Sequence, residues 1–416
     1  MSEVRGIHAM GDYLYSVVDS ILYRTDILGN SLKMGGTLLT TAGIVWMKEN
    51  GTQLMIVDGT YGYTLTGTTL TRITDADFIT PSSLAYQDGY FIVSQANTRY
   101  FFLSSSYDGT AWAALDYAAA EAYPDNLSAV VSANRELWLL GKGSYEVWYN
   151  SGASDFPFDR ISGAAGQIGT IAPNSCCQMQ GIVCWLDDKK IVRASEGYIP
   201  KRISTFQIEY QFDSFPTVSD ATGFMYSQEG HVFYVLTFPT EDKTYCYDFN
   251  TNMWHTRTSG NTDIRHRANC HAYFNGFNMV GDFNNGKIYK YDLGKYSDNG
   301  TTLRRVRTAQ VINNDRKNIF HHSFEVDFEA GVGLAVDDSD IGSGSDPQVC
   351  LEWSNDGGHT WSNEHWVDMG LIGEYGKRAK WNALGYARDR IYRVTVTDPV
   401  KTVMIRGHLE ATLGKQ

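Results

Sequence analysis

The sequence predicts an all-β fold: a β-propeller of six or seven blades followed by a C-terminal β-sandwich-like platform domain. The first observation is a repeat of short apolar and aromatic strands behind Gly, Asn or Asp turns, with starts 38 to 49 residues apart. The second is the composition, since 26 Tyr, 10 Trp and 40 Gly in 416 residues favour strands over helices. The third is a change to polar, Arg-rich sequence near residue 300, after which strands resume.

The repeats define a propeller domain over residues 1–300. Their first strands begin at Gly11, Asn50, Asp88, Asn134, Gly181, Gly230 and Asn275. Each repeat continues into a second strand behind another turn, as in GSYEVWYN from Gly143 and GKIYKYDLG from Gly286. Four-stranded units of ~40–50 residues are typical of propeller blades, and a closed ring of blades protects most of their edges. Two β-sandwiches with regular hairpins are the alternative.

One stretch of the propeller region reads as a helix. It is ALDYAAAEAYPDNL (residues 114–127), and Pro124 would end the helix there. We interpret it as a short surface insertion.

The second domain covers residues 301–416. Its strands begin with FHHSFEVDFEAGVGLAV, where polar and apolar residues alternate, and a length of ~100–115 residues is common for a β-sandwich. The acidic DDSDIGSGSDPQ segment lacks the ligand spacing of a calcium-binding EF-hand and reads as a loop.

Charge and composition argue against several classes of protein. A net charge of −12 disfavours nonspecific gripping of nucleic acid, because phosphates repel a negative surface. No apolar run approaches the ~18–20 residues that span a bilayer, and the N-terminus lacks a signal-peptide core, so we expect synthesis in the cytoplasm. We expect no cofactor and no metal site. The six cysteines match no zinc template and are expected to be free and buried: Cys176, Cys177, Cys184, Cys246, Cys270 and Cys350.

The segment SNDGGHTW fits the Asp-box pattern S-x-D-x-G-x-T-W, a hairpin turn known from sialidases and other propeller glycosidases. Its pattern positions are Ser354, Asp356, Gly358, Thr360 and Trp361. A structural interpretation accounts for them, because Asp356 can accept backbone N–H groups and glycine supplies left-handed geometry. Trp361 is expected to fold over the hairpin, so that Trp361→Ala costs roughly 3–5 kcal/mol. No local pattern places the three arginines and the Tyr–Glu pair that a sialidase needs, and we expect no catalytic residues.

A basic cluster opens the second domain. Its members are Arg304, Arg305, Arg307, Arg316 and Lys317. A solvated linker is one interpretation. The other is an interface with an acidic surface of a neighbouring protein or subunit, since a network of charges can steer docking.

Four longer segments carry a family resemblance. They are ELWLLGKGSYEVWYNSGASDFPFDRI (residues 136–161), IPKRISTFQIE (199–209), GHVFYVLTFP leading into TYCYDFNTNMWHTR, and EYGKRAKWNALGYARDRIYRVTVTDPVKTVMIRGHLE (374–410). In this order they resemble the packaged-DNA stabilisation proteins that form the tail hub, or nozzle, of short-tailed bacteriophages. Relatives often carry some tens of residues before the first propeller strand, whereas this chain starts almost directly at RGIHAMGDYLYSV, which leaves open how the blades close.

The resemblance implies a structural virion protein and not an enzyme. Members form a homo-hexameric ring below the portal and its adaptor, extend the DNA channel, and retain packaged DNA until ejection. The implied partners are the portal-adaptor protein, a tailspike or tail fibre, a needle or plug protein, and double-stranded DNA that passes through without sequence-specific binding. The implied location is the virion tail. The alternatives are a propeller adhesin that binds glycans and a sialidase-like glycosidase.

Overall fold

The computed structural model describes residues 2–339 and 341–414, and it divides the chain into two compact units. The first unit comprises the chain up to Arg257 together with Ile264–Tyr291. The second comprises Thr258–Asp263 and the chain from Asp292 onward. The short segment between blades six and seven therefore belongs with the C-terminal unit.

The first unit is built from antiparallel sheets in which consecutive strands pair, and each of its first six sheets has four strands. Blade 1 contains β1 (Val4–Met10), β2 (Tyr13–Val18), β3 (Ile21–Thr25) and β4 (Ser31–Lys33). Blade 2 contains β5 (Trp46–Glu49), β6 (Leu54–Val57), β7 (Gly62–Thr66) and β8 (Thr69–Arg72). Blade 3 contains β9 (Pro81–Gln87), β10 (Tyr90–Gln95), β11 (Tyr100–Ser105) and β12 (Asp108–Ala119).

The remaining blades follow the same order. Blade 4 contains β13 (Leu127–Ala133), β14 (Glu136–Gly141), β15 (Tyr145–Asn150) and β16 (Phe158–Gly166). Blade 5 contains β17 (Cys177–Met179), β18 (Ile182–Leu186), β19 (Val192–Glu196) and β20 (Ile199–Arg202), with a 3₁₀ turn at Pro173–Ser175 before it. Blade 6 contains β21 (Thr222–Gln228), β22 (His231–Phe238), β23 (Lys243–Asp248) and β24 (Met253–Arg257). Blade 7 is a three-stranded sheet of β25 (Ala268–Phe274), β26 (Phe277–Asp282) and β27 (Ile288–Lys290).

The seven blades close into a ring. The first strand of each blade contacts the first strand of the next, and β25 of the last blade contacts β1 of the first. At this seam Asn269 Nδ2 donates to Glu3 Oε1 (2.9 Å) and to the Val4 carbonyl (3.0 Å). Gly281 packs so closely on Val4 that a Cβ there would lie 2.4 Å from Val4 Cγ1. The ring is therefore closed by packing and side-chain hydrogen bonds between the first and last sheets.

The helix predicted for residues 114–127 is wrong. Asp108–Ala119 forms the outer strand β12, and Tyr117 stacks on Phe102 of the neighbouring strand with 5.3 Å between ring centroids. Pairing with β11 overrides the helix preference of the alanines, because propensity is a weak local term. The α-helix that the structure does describe is α1 (Phe206–Asp213), which the Thr205 side chain caps by accepting the Ile208 amide.

The second unit contains two main antiparallel sheets. A short hairpin, β28 (Ser297–Asp298) and β29 (Thr301–Thr302), precedes them. One sheet has the order β30-β37-β33-β34, with β31 also paired to β37; its strands are β30 (Arg305–Thr308), β31 (Ile312–Asn313), β33 (Gln348–Ser354), β34 (His365–Asp368) and β37 (Asp389–Val396). In the other, β32 (Ile319–Phe328) pairs with β35 (Ala379–Asn382) and β36 (Tyr386–Ala387) along one side and with β38 (Met404–Leu413) along the other.

The two sheets share one apolar core, as the sandwich prediction requires. Phe324 of β32 stacks on Tyr392 of β37 with ring centroids 4.6 Å apart and planes 3° apart. Burial alternates along β37, and the same alternation places His321 inside and His322 outside on β32. The fold is thus nearly all-β, a seven-bladed propeller followed by a β-sandwich.

Candidate interaction surfaces

A row of charged side chains covers one face of the sheet built around β32. We define the charged outer face as Glu325, Asp327, Arg378, Lys380, Arg406 and His408. Strand pairing assembles it, because Glu325 lies opposite Lys380 of β35 on one side and His408 of β38 on the other, while Asp327 lies opposite Arg406. The residues come from three separate parts of the sequence.

The ion pairs of this face leave its cations outermost. Arg406 Nε lies 2.7 Å from Asp327 Oδ2, and Arg378 Nη1 lies 3.2 Å from Glu325 Oε1. The hydrogen bond from Arg406 holds the pKa of Asp327 below its ordinary value. The side chains of Glu325 and Asp327 are 17% and 15% exposed, whereas those of Arg378 and Arg406 are 65% and 63% exposed. The face therefore presents positive charge to its surroundings although the whole chain is acidic.

Exposed aromatic rings lie on the same sheet. Phe320 of β32 and Tyr386 of β36 are paired residues whose ring centroids are 5.7 Å apart, with 44% and 62% of the residue exposed. Exposed aromatics combined with arginine are enriched where proteins bind one another. Sequence analysis missed this surface. The available signal was the two-residue spacing of Arg378 with Lys380 and of Arg406 with His408, which places each pair on one face of a strand.

The basic cluster predicted from the sequence is divided by the structure. Arg305 is an internal brace: it donates to the carbonyl of Asp398 and to that of Val400 (2.6 Å), and burial lowers its pKa. Arg304 forms an ion pair with Asp263. Arg307, Arg316 and Lys317 are exposed. An interface role for the cluster stays a prediction, and these last three residues are the ones whose side chains are free to serve it in the part of the chain described.

The Asp-box forms a closed network of hydrogen bonds at the end of β33. Ser354 Oγ donates to Asp356 Oδ1 (2.7 Å) and accepts the Gly358 amide (2.8 Å). The Asp356 carboxylate accepts the Thr360 amide (2.9 Å) and the Thr360 hydroxyl (2.6 Å). These Thr360 bonds, followed by Ser354, hold the pKa of Asp356 far below its ordinary value. A carboxylate held ionised and engaged with its own turn is unsuited to donating a proton as a general acid.

The tryptophan of the Asp-box lies partly exposed on the sheet surface. The Arg393 guanidinium carbon lies 3.8 Å from the Trp361 ring centroid, and Arg393 also forms a two-pronged pair with Glu352 (2.9 and 2.8 Å). Trp361 thus packs on a cation, and its truncation removes less buried area than we expected from the sequence. The interpretation of the Asp-box as a purely structural turn stays a prediction.

No cluster of metal-ligating residues and no helix long and apolar enough to cross a bilayer occurs among residues 2–339 and 341–414. All six cysteines are free thiols, of which Cys176, Cys184, Cys246 and Cys350 are buried. Burial raises the pKa of Cys246 to about 11, which keeps this thiol protonated and unreactive at neutral pH.

Comparison with protein families assigns both units. A model described as bacteriophage P22 Gp10, beta-propeller, matches residues 4–295. A second, described as bacteriophage P22 Gp10, beta-sandwich, matches residues 304–412. The chain belongs to the P22 Gp10 family. This is a family of structural tail proteins of phage, so the P22 Gp10 assignment agrees with the resemblance seen in the sequence and with a location in the virion.

Other comparisons add little to the P22 Gp10 assignment. A search of curated proteins found no match. Among solved structures, virginiamycin B lyase from Staphylococcus aureus is similar with a TM-score of 0.47 and 11% identity, over 69% of this chain and 94% of that one. PorZ from Porphyromonas gingivalis has a TM-score of 0.40 and 9% identity, over 75% of this chain and 43% of that one. Likenesses this weak carry no argument about function.

Proposed function

We propose that this protein is the tail hub, or nozzle, of a short-tailed phage. In this role six copies form a closed ring that extends the portal-adaptor channel, retains packaged DNA, and anchors tailspikes or fibres and the distal plug. The observation that carries the proposal is the pair of family matches, which together cover residues 4–295 and 304–412 of this chain.

The physical properties of the chain support this role. A hub acts through surfaces, and the second unit exposes cationic and aromatic side chains on a rigid sandwich. A ring of identical subunits needs two different complementary surfaces that meet head to tail. In a chain of net charge −12, a cationic face provides one half of such a pair, and acidic surface is abundant for the other.

The path of the DNA follows from the size of the propeller's own channel. That cavity has a volume of about 390 Å³, which is the scale of a small-molecule site and not of a duplex. DNA would therefore pass along the axis of the subunit ring. An acidic wall there favours transit over binding, because it offers the phosphates few counter-charges.

The hub proposal is tested by mass measurement of the purified protein alone and with the neighbouring tail proteins of the same phage. Native mass spectrometry should show a six-copy ring, formed either by the protein alone or only once the adaptor ring is present. A protein that stays monomeric and binds none of its tail neighbours contradicts the proposal. The enzyme and adhesin alternatives predict turnover of oligosaccharides or binding on a glycan array, and we expect neither.

The charged outer face is proposed as one docking surface of the hub. The test variant combines Arg378→Gln, Lys380→Gln and Arg406→Gln, and the matched control replaces three exposed propeller cations by Lys33→Gln, Arg72→Gln and Lys142→Gln. Both variants lose three positive charges, so a difference between them reports position and not net charge. We expect weaker assembly at low salt and a flatter salt dependence only for the first variant. Equal assembly of both variants rules out this surface.

The three exposed residues of the basic cluster are tested separately. The test variant combines Arg307→Gln, Arg316→Gln and Lys317→Gln. Arg305 is not changed, because its loss would remove the hydrogen bonds to the carbonyls of Asp398 and Val400. If these cations contact a partner, docking weakens at low salt while the thermal midpoint stays at the wild-type value. Unchanged docking and salt response identify the segment as a solvated linker.

A further inference from the structure

The first strands of the seven blades enclose a central cavity of about 390 Å³. This volume lies within the range of ligand sites, which is roughly 300–1,000 Å³. Its walls combine apolar side chains with a few polar groups contributed by different blades. The polar groups include His8, Lys48, Ser132, Cys177, Gln178 and His271.

Two cations among the described residues line this cavity: Arg5, whose donors all reach hydrogen-bond acceptors, and Lys48. Lys48 belongs to β5 of blade 2, and Cys177 of blade 5 lines the same cavity. Burial lowers the pKa of Lys48, and the Cys177 sulfur acts in the opposite direction. No carboxylate of the described residues is paired with it. Lys48 is half-buried, and an ammonium group partly withdrawn from water without an opposite charge is less favourable than a paired one.

His8 is a second unpartnered group beside this lysine. Its Nε2 atom is buried and has no hydrogen-bond partner within residues 2–339 and 341–414. Burial, and then the nearby Lys48 charge, lower the pKa of His8 to about 4. At neutral pH the ring is therefore uncharged and can donate one N–H. A buried polar atom without a partner is uncommon in folded proteins, and in the tautomer that carries its proton on Nε2 this atom is a donor near Lys48.

We propose that the central cavity of the propeller binds a small oxyanion, a carboxylate or a phosphate, whose oxygens accept hydrogen bonds from Lys48 Nζ and His8 Nε2. Such a ligand would meet both needs at once, with a charge for the ammonium and an acceptor for the imidazole. The lining also includes Ile7, Phe224 and Met225, and surroundings less polar than water strengthen such an ion pair. The inference concerns the propeller alone and does not rest on the hub function.

Thermal denaturation of three proteins tests the proposal: wild type, Lys48→Met, and Lys33→Met as a control at an exposed lysine of blade 1. Each is measured in sodium phosphate, in sodium acetate, and in sodium chloride at matched ionic strength. A ligand that binds only the native state raises the midpoint, and the rise grows with the logarithm of ligand concentration above the dissociation constant. We expect this rise for wild type and Lys33→Met, and its loss in Lys48→Met. In chloride alone, Lys48→Met should melt above wild type because a half-buried, unpaired charge has been removed.

The controls separate specific binding from general salt effects. Phosphate stabilises most proteins by exclusion from their surface, and that part should be common to all three proteins, so the difference between wild type and Lys48→Met reports specific binding. A response to acetate alone identifies a carboxylate ligand, and a response to phosphate alone identifies a phosphate. Equal responses in all three proteins overturn the proposal. If Lys48→Met does not fold, isothermal titration calorimetry measures the binding of phosphate and of acetate to wild type and to Lys48→Gln. Absence of binding to wild type overturns the proposal.

Discussion

Arg5 is a buried cation whose every donor is used, and its replacement should destabilise the propeller strongly. Its Nε donates to the Gly43 carbonyl (2.6 Å), its Nη1 to the carbonyls of Asp19 (2.8 Å) and Thr40 (2.9 Å), and its Nη2 to Thr40 Oγ1 (2.9 Å) and the Ala42 carbonyl (2.8 Å). The side chain is 0% exposed. It therefore holds the loop between blades 1 and 2 against the first strand of the ring.

The magnitude follows from the groups that Arg5→Met would leave unpaired. Each buried acceptor without a partner costs about 1–3 kcal/mol, and four carbonyls lose their donor. Three of them belong to a loop with exposed residues and can regain water, so the cost falls short of the full sum. We expect about 3–5 kcal/mol, similar to other losses of one partner from a buried charge network. The stability of Arg5→Lys should lie between that of wild type and that of Arg5→Met, because an ammonium group cannot reproduce the five donors of a planar guanidinium.

Urea denaturation followed by tryptophan fluorescence and far-UV circular dichroism measures this effect. Arg72→Met is the matched control, because Arg72 is an exposed arginine of blade 2 and surface changes usually stay within about 0.5 kcal/mol. Arg5→Met should shift the transition of the propeller unit to much lower urea concentration. If Arg5→Met is as stable as Arg72→Met, the hydrogen-bond argument is refuted.

Three further changes probe the ring seam and the Asp-box. Asn269→Leu removes both seam bonds to Glu3 and Val4 and should lower the free energy of unfolding by about 2–4 kcal/mol, measured by urea denaturation, whereas an unchanged value would show that packing alone closes the ring. Trp361→Ala should cost about 1–2 kcal/mol, because the ring is only partly buried and its main partner is Arg393; a loss of 4 kcal/mol or more would contradict this placement. The pKa of Asp356 is lower in the folded chain than its ordinary ~3.9, so its stabilising contribution is present above that pH and is lost as pH falls toward the folded value. Acid titration of the melting temperature should therefore show a smaller drop below pH ~4 for Asp356→Asn than for wild type, and equal drops would contradict the assignment.

The propeller could be predicted from the sequence because the turns between its strands contain residues that are typical of tight hairpins. Asp88, Asn134 and Asn275 occupy left-handed backbone conformations between paired strands, so the same residues that marked the repeats form the hairpins. The repeats predict six or seven blades and leave open how the ring closes, and the structure has seven, of which the last is a three-stranded sheet that ends in the short strand Ile288–Lys290.

Sequence reasoning failed where distant pairing decides the outcome. The alanines before residue 120 favour a helix locally, yet Tyr117 joins the aromatic contacts of blade 3 and the segment becomes a strand. The charged outer face is invisible in the sequence for the same reason, since only β32 brings Arg378 and Arg406 onto one surface. Conversely, the five neighbouring cations after residue 303 looked like one patch, and the structure turns Arg305 inward.

The central claim is that the chain works as a ring of subunits in the tail, and cryo-electron microscopy of intact phage tails tests it most directly. The P22 Gp10 assignment of both units leads us to expect density for six copies around the tail axis, below the portal and its adaptor, with DNA on the axis of the ring and outside each propeller. A single central copy of this protein, or copies found only on peripheral fibres, would contradict the account.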